Sequence, residues 1–196
     1  MKCLVVFAHP DQDSFGAALR DSVCAGLEER NHDVTLIDLY ADGFDPVMDA
    51  DTHRRYLEVA SDHPDPLVAR YIDLLREAEA LVFVYPTWWA GLPAILKGWL
   101  DRVFLPGVAF RLGRHNKVRP NLRQVRRLIV VTTTGSPRYQ TFLLTNAGKR
   151  TIMRTVRLVC SRRCRTTYLA LDRLDSRTAL ERTDFLHEAR IKVATI

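Results

Sequence analysis

Short runs of uninterrupted apolar residues alternate along this chain with longer stretches whose apolar positions recur every three or four residues. "KCLVVFA" (2–8), "DVTLIDLY" (33–40), "ALVFVYP" (80–86), "RRLIVVTTTG" (126–135) and "RTTYLAL" (165–171) are of the first kind. Runs that are apolar on both faces of the pleat predict strands buried inside a parallel sheet. Helical spacing separates them. Phe15, Ala18, Leu19, Val23 and Leu27 mark one stripe, with Ser14 placed to cap it. Residues 67–78 carry a second helix. Leu92, Ile95, Leu96, Trp99, Leu100, Val103 and Phe104 line a third, with Pro93 in its first turn, where a missing N–H is tolerated. Residues 139–160 read as mostly helical, and a last helix follows Ser176. The stretch after the second strand begins as a loop and becomes a short helix, residues 61–66 are a breaker, and Pro106–Pro120 reads as a long basic loop.

Five alternations of strand and helix, joined by right-handed crossovers, predict an α/β fold: a three-layer sandwich, its parallel sheet covered by helices on both faces. No repeat, low-complexity tract or linker interrupts the pattern, so residues 1–196 read as a single domain.

Composition narrows the classes. Of the 196 residues 47% are hydrophobic and 27% charged, as in ordinary globular proteins. No apolar run approaches the roughly 20 residues of a transmembrane span, and the first strand begins at residue 2 without a basic leader. Cys3, Cys24, Cys160 and Cys164 are irregularly spaced, which favours free thiols in a cytoplasmic chain over a disulfide framework. Cys160 and Cys164 can share a helical face, but without histidine partners they make a poor metal site. The net charge of +6 is concentrated in two blocks without acids, residues 111–127 and 149–165. Such blocks concentrate anions, whether nucleic acid, an acidic membrane surface or a phosphorylated cofactor, and a plain solvated basic face fits equally well. No nucleic-acid recognition motif accompanies them.

In open α/β sheets, ligands bind beyond the carboxyl ends of the strands. Three of those ends are unusual. "HPDQDSFG" follows the first strand and leads into a helix N-terminus, whose free N–H groups suit a phosphate, with His9 as a further donor. It is neither a glycine-rich dinucleotide fingerprint nor a Walker loop. "PTWWAGLP" follows the third strand. Two adjacent tryptophans there, Trp88 and Trp89, can wall a planar ring whose edge the backbone N–H groups of 87–89 would bind. "TTTGSPRY" follows the fourth, a small, hydroxyl-rich turn that a ligand can approach closely, with Tyr139 at its rim.

"AHPDQDSF", "DLYADGFDPVM", "PTWWAGLPAILKGWLDRVF" and "TTTGSPRY", in that order over roughly the first 140 residues, resemble the flavodoxin-like NAD(P)H:quinone oxidoreductases of the DT-diaphorase type. The resemblance implies a flavodoxin-like sheet of order 2-1-3-4-5 and a bound flavin, FAD or alternatively FMN, with NAD(P)H as co-substrate. It assigns His9, Asp13, Ser14, Phe15 and Gly16 to the phosphate-bearing chain. Pro86, Thr87, Trp88 and Trp89 would line the isoalloxazine, with Thr133, Thr134, Gly135 and Ser136 at its other edge. Tyr139 would act beside it as the catalytic proton or hydrogen-bond donor. A homodimer is implied, with the Trp99 helix and the basic loop after Pro106 as interface candidates. The implied activity is two-electron, ping-pong hydride transfer to quinones or related electrophiles. The alternative is a flavin-binding regulatory subunit of a potassium-efflux antiporter. A one-electron carrier fits less well, because such carriers are usually acidic.

The chain departs from the family's pattern in several places. The histidine that animal members use soon after the tyrosine is replaced by "TNAG". Ala90 stands where some relatives have a further aromatic, which opens the substrate side. Asp13 and Gly16 stand where relatives often carry a hydroxyl and an asparagine. Beyond residue 150 the likeness fades.

Overall fold

The structure is a computed structural model, and it describes residues 1–56, 64–143 and 146–196. Five parallel strands form the sheet: β1 (Lys2–Phe7), β2 (Asp33–Asp38), β3 (Ala80–Pro86), β6 (Arg127–Thr134) and β7 (Arg165–Asp172), in the order β2-β1-β3-β6-β7. Counting sheet strands alone, this is the expected 2-1-3-4-5 arrangement.

Uninterrupted apolarity is what such a sheet needs, because neither face meets water. Along β1, Leu4 and Val6 enter one core while Cys3, Val5 and Phe7 enter the other, and all five are buried. Each large apolar side chain so buried contributes about 1.5–3 kcal/mol. The first core lies beneath α3 (Pro66–Glu77) and α4 (Ala94–Val103), and the second beneath α1 (Phe15–Glu28) and α8 (Ala179–Ala194). Ser14 caps α1 as expected, its hydroxyl accepting the Ala17 N–H at 3.2 Å. Helices α1 and α8 approach so closely that a Cβ on Gly26 would lie 2.4 Å from the Arg190 carbonyl.

The third tryptophan has a purely structural place. Trp99 is fully buried on α4, its ring meeting Tyr71, Phe83 and Phe104 edge-on at centroid distances of 6.4, 6.0 and 5.5 Å. On the same helix, buried Arg102 donates to the Asp45 carbonyl and to Asp65 at 2.8 Å, tying the approach to α3 onto α4.

Two expectations change, and a third gains detail. The stretch from Pro106 to Pro120 is not a structureless loop: β4 (Phe110–Leu112) and β5 (Val118–Pro120) pair as an antiparallel ribbon. Its turn is made by His115 at φ +59°, a conformation that hydrophobic-pattern reading does not register. The second strand stops at Asp38, whose carboxylate accepts the Tyr40 and Ala41 N–H groups and so bends the chain. Residues 139–160 are mostly helical, as expected, but not as a single helix. They divide into α5 (Arg138–Leu143), α6 (Ala147–Arg150), a π-helical stretch Thr151–Val156 and α7 (Arg157–Val159). The expected breaker at 61–66 and the helical reading of 144–145 fall partly or wholly outside the described residues. The short helix after the second strand is α2 (Ala50–Arg54).

All four cysteines are free. Cys160 and Cys164 do not share a helical face: Cys160 caps the end of α7, and a turn closed by the Cys164 N–H to the Ser161 carbonyl brings Cys164 back beside it. The Cys160 thiol donates to the Val156 carbonyl at 3.3 Å and the Cys164 thiol to that of Arg165 at 3.7 Å, and the closeness of the two buried thiols raises the pKa of Cys160. Among the described residues no group of three or more His, Cys, Asp and Glu is arranged to hold a metal, and no helix is long and apolar enough to cross a membrane.

Candidate active site

Parallel register brings the carboxyl ends of β1, β3 and β6 together, and the three unusual loops come with them. The connection between the second and third is direct. The Thr87 N–H donates to the Thr133 carbonyl at 2.7 Å, the Thr87 and Thr132 hydroxyls meet at 3.0 Å, and Thr132 donates to the Tyr85 carbonyl at 2.6 Å. The first loop joins through its aromatic side chain: the His9 and Trp88 ring centroids are 6.2 Å apart.

In the first loop, Asp11 organises the turn. Its N–H donates to His9 Nδ1 at 3.1 Å, its carboxylate accepts the Asp13 N–H at 2.9 Å, and its carbonyl accepts the Ser14 hydroxyl at 2.7 Å. Nδ1 lies 3.1 Å from the Asp11 carbonyl as well as from its N–H, so in the tautomer where it accepts the amide the ring N–H is on Nε2 and free to donate. Gly16 lies under this ring; a Cβ there would come within 3.3 Å of His9 Cδ2. The Phe15 and Gly16 N–H groups at the start of α1 have no acceptor among the described residues. Asp13 is exposed at the mouth of the turn, and its carboxylate would oppose rather than attract a phosphate.

The second loop is the least ordinary backbone in the chain. Trp89 and Ala90 have φ of +48° and +55°, and the Gly91 N–H donates back to the Trp88 carbonyl at 2.9 Å. This is a type I′ turn built without glycine at either central position. Holding two such residues left-handed costs about 1–3 kcal/mol each, and strain of this kind gathers at functional sites. The turn thrusts the indoles outward: Trp88 is 41% exposed and Trp89 fully exposed. Neither is core, so packing does not explain them. Pro86 is buried at the end of β3, directly behind the turn.

In the third loop Thr132, Thr133 and Thr134 are buried at the end of β6, and Thr134 accepts the Ser136 N–H at 3.2 Å. Gly135 faces the turn after β7, where a Cβ would sit 3.1 Å from the Asp175 carboxylate. Tyr139 lies on α5, 59% exposed, with its hydroxyl accepting from Gln140 Nε2 at 3.2 Å. It stands at the rim of the loop, with no contact to His9, Trp88 or Trp89 among those found.

Thr132, which pins two of the loops together, and Gly148 were not singled out from the sequence. Gly148 donates its N–H to the Ala90 carbonyl at 3.4 Å, and a Cβ there would lie 3.0 Å from the backbone of Gly91. A glycine inside a helical pattern is itself a signal of such close approach.

The donor set suits a flavin. Free amides at the α1 N-terminus and the His9 Nε2–H fit a phosphate, the two exposed indoles fit a planar ring system, and the turn amides fit that ring's edge.

Comparison with known proteins agrees with this geometry. The family model of the flavodoxin-like fold matches residues 1–181. The uncharacterised NAD(P)H oxidoreductase YcaK of Escherichia coli (strain K12) is 37% identical over 118 residues, covering 59% of this chain and 60% of that protein. Human ribosyldihydronicotinamide dehydrogenase [quinone] is 34% identical over 128 residues, covering 56% and 53%. The chain thus spans between half and two thirds of the length of these curated relatives. A solved NAD(P)H:quinone oxidoreductase from Methanothermobacter marburgensis superposes over 100% of this chain and 96% of its own with a TM-score of 0.83 at 25% identity.

Proposed function

Since the chain belongs to the family of the flavodoxin-like fold, we propose that it is a flavin-dependent NAD(P)H oxidoreductase that reduces quinones or related electrophilic acceptors. The observation that carries this reading is the convergence of the three loops around two outward-facing tryptophans on a strained turn. The names of the relatives, NAD(P)H oxidoreductase and ribosyldihydronicotinamide dehydrogenase [quinone], support it. The antiporter-subunit alternative gains nothing from them.

The flavin, when bound, supplies the two-electron chemistry, taking hydride from a dihydronicotinamide and giving reducing equivalents to the acceptor in a ping-pong cycle. The chain's own residues bind and orient it. His9 Nε2–H, Ser14 and the Phe15 and Gly16 amides would hold phosphate, where the positive end of α1 favours an anion. Asp13 would have to point away from it. Pro86, Thr87, Trp88 and Trp89 would frame one side of the ring system, and Thr133, Thr134, Gly135 and Ser136 the other. Backbone donors fixed in these turns are aimed before reaction and need no reorganisation as negative charge develops. The small Ala90 side chain leaves the acceptor's approach open. Tyr139, at the rim, would donate a proton or hydrogen bond to the acceptor, with water replacing it where no histidine follows. The finer parts of the reading are FAD in preference to FMN, a homodimer and a cytoplasmic setting. The first two rest on the resemblance, and four free thiols favour the third. Trp99 itself is buried, so any dimer contact by its helix would fall to the helix's exposed residues, such as Lys97 and Asp101.

The test is spectroscopic. Flavin-loaded protein mixed with NADPH without oxygen should lose its visible absorption, and a quinone should restore it. In Tyr139→Phe the first step should be unchanged and the second slower by about 10²-fold, the usual scale of one positioned proton donor. Flavin bands that persist through NADPH addition would refute the proposal.

A further inference from the structure

One sizeable cavity among the described residues lies away from the tryptophan turn. It is an open groove of about 990 Å³ along the outer edge of β7, between the α5–α6–π-helical segment and α8. Its size is that of an ordinary ligand cleft.

Its walls differ in charge. Arg138, Lys149, Arg150 and Arg154 line one side, all exposed, and among the described residues none forms an ion pair. Lys149 Nζ sits 4.3 Å from the centroid of the Tyr168 ring, whose hydroxyl accepts from Asn146 at 3.0 Å. Its lining is apolar around the free edge of β7, with Met153 on the same side of the sheet as that ring and Leu169 and Phe185 on the other side. Opposite, Glu181 is engaged by Arg177 at 2.7 Å and by the start of α8, while Asp184 and Glu188 are left as acceptors facing the groove. Guanidinium forks bind phosphates, an apolar lining with an exposed aromatic ring takes a purine, and carboxylates accept from ribose hydroxyls or an exocyclic amine. The three features line one cleft, and a phosphorylated adenosine carries a partner for each.

Two further observations tie the groove to the site. Helix α6, which bears Lys149 and Arg150, is fixed through Gly148 to the tryptophan turn, and Arg138 directly precedes Tyr139. From Thr151 to Val156, a stretch that follows Arg150 and contains Arg154, the helix is π-wound for six residues, a rare distortion that recurs at functional sites.

We infer that this groove binds the adenosine-phosphate half of the dinucleotide co-substrate, with Arg150 and Arg154 on its phosphates, so that the protein prefers NADPH to donors lacking that half. The inference rests on the proposed function for the identity of the ligand. It rests on the groove alone for the binding chemistry.

The probe is 2′,5′-ADP, titrated calorimetrically into the protein loaded with FMN and, separately, with FAD. Wild type should bind it, more weakly as salt rises, and Arg150→Ala/Arg154→Ala should weaken binding by at least about tenfold, as expected for two charge-assisted phosphate contacts. Lysine at both positions should restore part of it. In turnover, the alanine pair should raise KM for NADPH by a similar factor and move KM for N-benzyl-dihydronicotinamide, which carries no adenosine phosphate, less than twofold. Absence of 2′,5′-ADP binding, or equal binding by the alanine pair, would overturn the inference. So would its loss on replacing FMN by FAD, since the flavin's own adenosine half would then be the occupant. A protein that takes up no flavin defeats the functional proposal instead, and the nucleotide titration remains readable without it.

Discussion

Ala90 shows how a single residue can record a site. Its φ of +55°, next to Trp89 at +48°, is tolerated because the turn is held at both ends, by the Gly91–Trp88 hydrogen bond and by Gly148 on the Ala90 carbonyl. A glycine would adopt this conformation without strain, so Ala90→Gly should stabilise the protein by about 1 kcal/mol, raising Tm by about 2–4 °C. An unchanged or lower Tm would mean that the turn is not strained. None of this was legible in the sequence, where "WWAG" carries no left-handed signature beyond its glycine. What the sequence did convey is that two adjacent indoles at a strand's end are out of place in a core, and both are exposed. Trp99, by contrast, lay on an apolar helical stripe and is core.

At the scale of elements, legibility followed the strength of the local signal. The five buried strands were plain because burial on both faces demands unbroken apolarity, and their ends shift by a residue or two at most. The exposed edges were harder. The β4–β5 ribbon has three residues per strand and alternates basic with apolar positions, too brief a pattern to stand out from a loop. The divided helical segment beyond Tyr139 was obscured because π-winding leaves no mark in a three-to-four periodicity. Helix α8, expected after Ser176, opens with a capping box that the sequence reading did not use, in which Thr178 and Glu181 exchange hydrogen bonds. The Thr178 N–H, first, and then Arg177 and the Thr178 hydroxyl hold the Glu181 carboxyl down at about 2 from an ordinary 4.5. A lowered carboxyl favours the folded state above its unfolded pKa and loses that contribution as protons return. The acid limb of unfolding should therefore include a component between about pH 4.5 and 2. Glu181→Gln should remove that component. An acid limb identical in the variant would show that the box contributes nothing.

Over the whole molecule, charge and topology divide the sheet's two ends. The basic blocks at 111–127 and 149–165, separate in sequence, are joined where the Leu122 N–H meets the Val159 carbonyl and the Arg165 N–H meets that of Arg126. Among the described residues only Arg126 of those blocks pairs with an acid, Glu79 at 2.6 Å. Several of the remaining cations gather at the amino ends of β6 and β7, while Lys149, Arg150 and Arg154 turn toward the groove beside the carboxyl ends. The excess of positive charge noted in the sequence is thus partly directed, and a phosphorylated co-substrate is the partner its placement fits. The convergence of the three loops was readable as well, because a parallel sheet gathers the loops at its carboxyl ends whatever their details. The groove was not, since it depends on how residues far apart fold against the free edge of β7.

The account stands or falls on flavin binding at the tryptophan turn. Flavin-free protein should be titrated with FAD and with FMN while tryptophan emission is recorded. One equivalent of at least one of them should quench the emission of Trp88 and Trp89, leaving that of buried Trp99, and the same titration of Trp88→Ala/Trp89→Ala should lose most of the quenching. Emission unaffected by either flavin would contradict the account, and the exposed tryptophans would need another ligand.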